Sequence, residues 1–197
     1  LGEKFIGKDD VCLVLGDNIF YGSGFSGMLK NAKNNILEGN STVFGYYVND
    51  PHRYGIAEFD DQSNVISIEE KPKNPKSSYV VPGIYCYDHT VVSKAKTLNF
   101  SDRGELEITD INKAFLNESS LEVKVLNEDT VWLDTGTVDS LMNANQFVET
   151  LQQRKGILVG SPELSAFQNN LITKETLSLL VESMTESKYG EFLKLNS

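Results

Sequence analysis

Two apolar runs that each end in an aspartate, residues 13–18 (LVLGDN) and 132–136 (WLDTG), limit what this chain can fold into. A short apolar run of this kind reads as a buried strand. An aspartate just past such a strand lies at the carboxyl edge of a sheet, where open α/β folds bind ligands. Asp17 and Asp134, brought together from distant sequence, would form an oxygen-rich site suited to Mg²⁺ and a phosphate. Taken singly, each also suits the start of a turn, Asp17-Asn18 and Asp134-Thr135-Gly136 alike.

The pattern between and around these runs alternates strands with helices. Residues 11–15 read as the first strand, and the glycines at 16, 22, 24 and 27 make the next segment loop-like. Met28, Leu29, Ala32, Ile36 and Leu37 carry helical spacing over 26–37, stopped by Gly39-Asn40. Residues 41–48 are rich in β-branched and aromatic side chains and predict a strand. Residues 54–59 and 65–70 alternate about a polar turn at 60–64, which predicts a hairpin. A strand over 79–87, a short helix over 91–98 and a longer one marked by Ile108, Ile111, Ala114 and Phe115 follow, with Ser101 or Thr109 as its cap. Strands over 121–126 and 131–133 complete the alternation, which argues for an α/β fold with a mainly parallel sheet. One apolar face over 140–153 predicts a helix ended by Gly156. After it come only short helical patterns, at 162–167, 174–184 and 189–195. The expected organisation is a core over 1–153 and a helical annex over 154–197.

The length of 197 residues is enough for a sizeable core. A net charge of −10 argues against nucleic acid or an anionic membrane as the main partner, yet local cations can still hold a phosphate. No apolar run approaches a membrane span, and residues 1–10 do not form a secretory leader. The two cysteines, Cys12 and Cys86, sit in apolar runs and read as small buried core residues, with no disulfide or metal pair expected. His52 and His89 read as loop residues, which leaves no Ser-His-Asp or Cys-His arrangement. Gly22, Gly24 and Gly27 mimic a dinucleotide fingerprint, but the first glycine lies too far past the strand, so the segment reads as a flexible loop.

Other residues suit phosphate and sugar chemistry. Lys71 precedes Pro72, which cannot extend a ladder, so the lysine is presented at an edge as a point charge for a phosphate. Glu70 suits hydrogen bonds from sugar hydroxyls, although Glu69-Glu70-Lys71 also reads as a solvated charge cluster. Gly55 after Tyr54, and Gly83 after Pro82, suit close approach of a ligand to backbone, or simple turn chemistry. Arg103 suits a phosphate clamp, or a surface pair with Glu105 or Glu107 that would be worth little.

Between the two aspartates lie, in order, RYG (53–55), EEKP (69–72), GIYCYD (83–88) and RGELEITD (103–110). That ordered set resembles the sugar-1-phosphate nucleotidylyltransferases, and among them the glucose-1-phosphate thymidylyltransferases, from about Phe5 to the C-terminus. The resemblance implies a Rossmann-like mixed sheet flanked by helices, of the nucleotide-diphospho-sugar transferase type. It implies Asp17, Lys71 and Asp134 as the catalytic set, with Asp17 and Asp134 holding Mg²⁺. Asn18, Tyr54, Gly55, Glu70, Lys71, Val81, Gly83 and Arg103 would line the sugar-phosphate site, Lys71 and Arg103 facing phosphate. The implied substrates are glucose-1-phosphate and dTTP, and the products dTDP-glucose and pyrophosphate, in a deoxysugar route such as that to dTDP-rhamnose. A cytoplasmic homotetramer is implied as well.

The same resemblance carries departures. Family members open with a strand, a glycine-rich loop and basic residues that cradle the triphosphate, and none stands in this sequence. The fold is therefore expected to be N-terminally incomplete, to expose an apolar edge, and to turn over no substrate alone. The basic residues that line a regulatory nucleotide site in thymidylyltransferases are replaced by Asn127-Glu128-Asp129, Leu158 and Gln168, so altered or lost feedback is expected. A relative using UTP, CTP or ATP, and a non-catalytic sugar-phosphate-binding or oligomerising subunit, are the other readings.

Overall fold

Ser41–Tyr47 is the strand about which the sheet is organised, and its first five residues are all buried. A strand buried on both faces needs cover from two sides, and its alternation supplies it. Val43 points into one core with Ala57, Ile68, Val81, Tyr85, Tyr87 and Phe115. Its neighbour Phe44 points into another with Ala32, Ile84, Cys86 and Leu126.

The computed structural model describes residues 2–184 and 186–197. The chain divides into two units, Leu1–Asp134 and Thr135–Ser197. The sequence pattern predicts that boundary after residue 153. The helix that begins at Val138 instead stands with the second unit.

In the first unit the elements run α1 (Glu3–Ile6), β1 (Val11–Val14), β2 (Asn18–Tyr21), α2 (Phe25–Leu37), β3 (Ser41–Tyr47), β4 (Gly55–Phe59), β5 (Val65–Glu70), β6 (Tyr79–Val80), β7 (Ile84–Tyr87), α3 (Val91–Lys96), α4 (Ile108–Asn117), β8 (Leu121–Val125) and β9 (Val131–Asp134). One sheet follows the order β1-β7-β3-β6-β4-β5, with β8 on the other edge of β3; β2 and β9 form a separate two-stranded ribbon. The expected mixed sheet is present, but its pairings are mostly antiparallel; β3–β8 is the parallel pair. The reason lies in connection length: a parallel pair needs a long crossover, and β3 to β8 is joined by one, whereas the β4–β5 hairpin closes through a short turn.

Three further expectations change. The strand predicted over 79–87 is two strands, because Pro82 has no N–H to donate and breaks the ladder before Gly83. The segment after Gly16 is not all loop: β2 pairs antiparallel with β9, a long-range partnership that local pattern cannot report. The apolar run at 13–15 is not buried. Leu13, Val14 and Leu15 are 42%, 49% and 40% exposed, because β1 is an edge strand.

Cys12 departs from the reading of both cysteines as small buried core residues. Cys86 is buried, Cys12 is exposed, and they face each other across β1 and β7.

Helices α3 and α4 cover the Val43 face, where Phe115 stacks on Tyr87 at 5.3 Å between centroids. The Tyr87 hydroxyl donates to Asn112 Oδ1 at 2.6 Å, satisfying a buried polar tip. Helix α2 covers the Phe44 face. The ribbon is seated closely. A Cβ on Gly22 would stand 2.7 Å from Thr130 Cα and 2.8 Å from Asp129 O. Both obstacles are backbone, so Gly22→Ala is expected to cost about 1–3 kcal/mol, read as a lower denaturation midpoint.

The second unit is helical: α5 (Val138–Lys155), α6 (Pro162–Gln168), α7 (Lys174–Ser183) and α8 (Lys188–Asn196). Each starts on a hydroxyl cap, from Thr137, Ser161, Thr173 and Ser187 in turn. Gly156 ends α5 in the left-handed region. Leu164, Leu177, Val181 and Leu193 make the core of α6 to α8. No helix among the described residues is long and apolar enough to cross a membrane.

Candidate functional site

The ribbon brings the two aspartates together. Asn18 is the cross-strand partner of Asp134, so Asp17, one residue earlier, lies at the same ribbon end. Asn18 joins three neighbours. Its Nδ2 donates to Asp17 Oδ1 at 2.8 Å. Its Oδ1 accepts from the Gly83 N–H at 3.0 Å and from the Trp132 indole N–H at 2.7 Å.

Tyr54 approaches the same end from the hairpin. Its hydroxyl donates to Asp134 Oδ2 at 3.2 Å, and its ring meets Trp132 edge-on at 5.1 Å. Burial raises the Tyr54 pKa, and the Asp134 charge raises it further against the opposing pull of Arg53. The phenol therefore remains a donor to the carboxylate. Arg53 lies 4.0 Å from Asp134 and over the Tyr54 ring at 5.8 Å.

The next residue begins the second half of the site. Gly55 pairs with Glu70 across β4–β5. A Cβ on Gly55 would stand 3.0 Å from Thr109 Oγ1 and 3.3 Å from Glu70 Oε2. Thr109 donates its hydroxyl to Glu70 Oε2 at 2.5 Å. It is therefore not the cap of α4; Glu107 holds that position without a side-chain cap bond. The Glu70 carboxylate was within reach, and a charge-assisted bond outweighs a cap. Tyr85 lies beneath both halves: its pKa rises through burial first, then through the negative charges of Glu70 and Asp17.

Lys71 occupies an unusual backbone state, with φ +42°. A side chain in the left-handed region costs about 1–2 kcal/mol, and a following proline disfavours non-extended backbone further. Strain of this kind persists where the surroundings over-determine it, often at functional positions. Its N–H donates to Tyr54 O at 3.1 Å, and its Nζ lies 3.6 Å from Glu70 with the side chain 41% exposed. Lys71→Gly is expected to be about 1 kcal/mol more stable than Lys71→Ala, while both lose activity by roughly tenfold or more. Melting curves and turnover measured side by side separate the two effects.

Arg103 makes the pairs with Glu105 and Glu107 that are the alternative to a phosphate clamp, and a third with Glu70. Its guanidinium meets Glu105 at 2.6 Å, Glu70 at 3.5 Å and Glu107 at 3.7 Å. Three carboxylates satisfy the fork, so its contact is with the acid that lines the site. Val81 and Gly83 also have their N–H groups engaged: Val81 donates to Gly55 O at 2.8 Å and Gly83 to Asn18. Val81 is buried and forms floor rather than contact surface.

Thus Asp17, Asn18, Tyr54, Gly55, Glu70, Lys71, Gly83 and Asp134 are brought to one connected region of the first unit. Trp132, Thr109 and Tyr85 belong to it too, and sequence reasoning missed them. Trp132 and Thr109 lie inside the strings that drew attention, two residues before Asp134 and six after Arg103. Tyr85 also lies in such a string, at 83–88, but a core tyrosine and a site tyrosine look alike in sequence.

Comparison with known proteins identifies the family. The family model described as nucleotidyl transferase matches residues 1–151. A glucose-1-phosphate thymidylyltransferase of Mycolicibacterium smegmatis is 45% identical over 98% of this chain and 66% of its own length. One of Xanthomonas campestris pv. campestris is 46% identical over 98% of this chain and 65% of its own. The chain thus spans just under two thirds of the curated relatives it matches. A Bacillus anthracis structure described as a glucose-1-phosphate thymidylyltransferase, with sucrose, superposes with TM-score 0.65 at 42% identity, over 74% of this chain and 57% of that one. An apo UDP-glucose pyrophosphorylase shares the fold at TM-score 0.64 and 19% identity, over 76% of this chain and 57% of that one. With its mixed sheet, its paired aspartates and a family match over most of its length, the chain belongs to the nucleotidyl transferase family.

Proposed function

We propose that this chain supplies the sugar-phosphate and metal-holding part of a glucose-1-phosphate thymidylyltransferase. A phosphate oxygen of glucose-1-phosphate attacks the α-phosphorus of dTTP in line, and the bond to pyrophosphate breaks, giving dTDP-glucose. The observation that carries the reading is the Asn18–Asp134 pairing, which gathers two sequence-distant aspartates beside the Glu70–Thr109 pair.

Nucleotidyl transfer asks a protein for alignment and charge stabilisation rather than for a covalent nucleophile. The donor set of Asp17 and Asp134 fits Mg²⁺, which takes one or two carboxylates and leaves its other positions to phosphate and water. Bound there, the ion would neutralise charge growing on the phosphate oxygens. Lys71 adds a point charge for the sugar phosphate. Glu70, oriented by Thr109 and Arg103, accepts from sugar hydroxyls. Tyr54 and Asn18 orient Asp134 and Asp17.

The reading extends to a cytoplasmic homotetramer that serves dTDP-rhamnose supply. It includes weakened nucleotide feedback, since the turn at Asn127-Glu128-Asp129 before β9 is acidic.

The test is pyrophosphate release by the gene product at its full encoded length, with glucose-1-phosphate, Mg²⁺ and each of dTTP, UTP, CTP and ATP. Preference for dTTP supports the reading; preference for another nucleotide moves the protein to a relative's chemistry. Trp132, the single tryptophan of this chain, gives a second readout. Its indole is bonded to Asn18, so glucose-1-phosphate is expected to change its fluorescence. A complete lack of turnover with any nucleotide, together with an unchanged fluorescence, would overturn the proposal.

A further inference from the structure

Cys12 and Cys86 are cross-strand partners in the β1–β7 ladder. The Leu15 N–H donates to Gly83 O at 2.8 Å, and these two residues continue the same register. The hydrogen-bonded positions of the ladder are therefore 15/83, 13/85 and 11/87. Positions 12/86 fall between them, at a non-hydrogen-bonded pair, where the backbones approach more closely and facing side chains are nearest.

The two sulfurs lie 3.7 Å apart, the Cys86 thiol directed at Cys12. That is van der Waals contact, about 1.7 Å longer than a covalent S–S bond, so side-chain rotation rather than strand movement closes the gap. The two thiols differ in access. Cys12 is exposed and Cys86 is 4% exposed. The hydrogen bond from Cys86 also lowers the Cys12 thiol to about 7 against the opposing effect of burial. One thiol is open to solvent and acidified, and its neighbour is shielded and aimed at it. A reactive thiol with a resolving partner has this arrangement.

We propose that Cys12 and Cys86 form a reversible disulfide, Cys12 attacking a low-molecular-weight disulfide and Cys86 resolving the mixed intermediate. The Cys12 thiolate attacks one sulfur of the oxidant, forming a mixed disulfide and releasing one thiolate. The Cys86 thiol then loses its proton and attacks the Cys12 sulfur. The protein S–S bond forms, the mixed bond breaks and the second thiolate leaves. Two protein thiols are oxidised and one small disulfide is reduced to two thiols. The bond would staple the strand leading into Asp17 to the strand that begins just after Gly83, whose N–H holds Asn18.

The experiment exposes the folded, full-length protein to oxidised glutathione, blocks remaining thiols, and reads intact mass and a peptide map. The expected product has lost two hydrogens, retains no glutathione, yields a peptide pair joined through Cys12 and Cys86, and returns to the dithiol with dithiothreitol. Cys86→Ala is expected to keep one glutathione on Cys12. Cys12→Ser is expected to slow modification of Cys86 by roughly a hundredfold or more, because the remaining thiol is buried. A wild-type protein that stays reduced under these conditions overturns the proposal. So does one that accumulates the mixed disulfide. The wild-type map decides the matter even if a variant fails to fold.

Discussion

Replacing Asp17 or Asp134 by asparagine is expected to lower nucleotidyl transfer by roughly three orders of magnitude, about 4 kcal/mol at the transition state, with little change in stability. Asparagine preserves shape and one oxygen acceptor, so at position 134 it can still accept from Tyr54. What it removes is the negative charge. At position 134 the variant also loses the 4.0 Å pairing with Arg53, whose side chain is 55% exposed; such a pair contributes little. Stability therefore stays near wild type while any cation held by the pair loses half its protein charge. The Mg²⁺ concentration needed for half-maximal rate should rise by about tenfold or more. Because the two carboxylates act as one site, the double variant should be scarcely slower than either single one. The measurement is pyrophosphate release across a Mg²⁺ series, in the gene product at its full encoded length. Either variant keeping more than about a tenth of the wild-type rate would return the two aspartates to turn residues.

Periodicity carried the elements whose identity is local. The β4–β5 hairpin, α2 and the helices after residue 138 follow from alternation, helical spacing and hydroxyl caps that act within a few residues. What alternation could not carry was partnership. The run at 11–15 is apolar enough for a central strand, yet β1 has β7 on one side and exposes Leu13, Val14 and Leu15. The string at 18–21 lies among glycines and becomes a strand only because 131–134 is there to pair with it. The site divides the same way. Asp17, Glu70, Lys71 and Asp134 were legible because charged residues at strand ends are conspicuous. The contacts of Thr109 and Arg103 with Glu70 were not, because a hydroxyl near a helix start reads as a cap and an arginine before a helix reads as a clamp or as a pair with its near neighbours. Both are drawn to Glu70, a residue distant in sequence that spacing alone cannot place beside them. The cysteines teach the same lesson: Cys12 and Cys86 look inert one at a time, and only the β1–β7 register makes them a pair.

Asn18 is where the two halves of the first unit's site depend on one side chain, and two substitutions there should behave oppositely. Asn18→Ala removes the acceptor of the Gly83 and Trp132 N–H groups and the donor to Asp17. Trp132 is 8% exposed, so its indole N–H has little water to turn to. An unsatisfied buried donor costs about 1–3 kcal/mol, and two of them put the expected loss at roughly 2–6 kcal/mol. Trp132 fluorescence reports the unfolding of this unit directly. Protein that stays folded should be about ten- to a hundredfold slower, because Asp17 has lost the group that orients it. Asn18→Asp keeps the shape and both N–H contacts but sets a second carboxylate against Asp17, where the amide now donates at 2.8 Å. Like charges that close raise one carboxyl pKa on folding. A carboxyl raised in this way favours the folded state in acid and loses that advantage as the pH rises. Asn18→Asp should therefore match wild type in mildly acid solution and fall below it towards neutrality, whereas Asn18→Ala should be weaker at both. Fluorescence-monitored denaturation at the two pH values distinguishes them. If both variants unfold with wild-type midpoints throughout, the Asn18 hydrogen bonds do not hold the ribbon to the sheet.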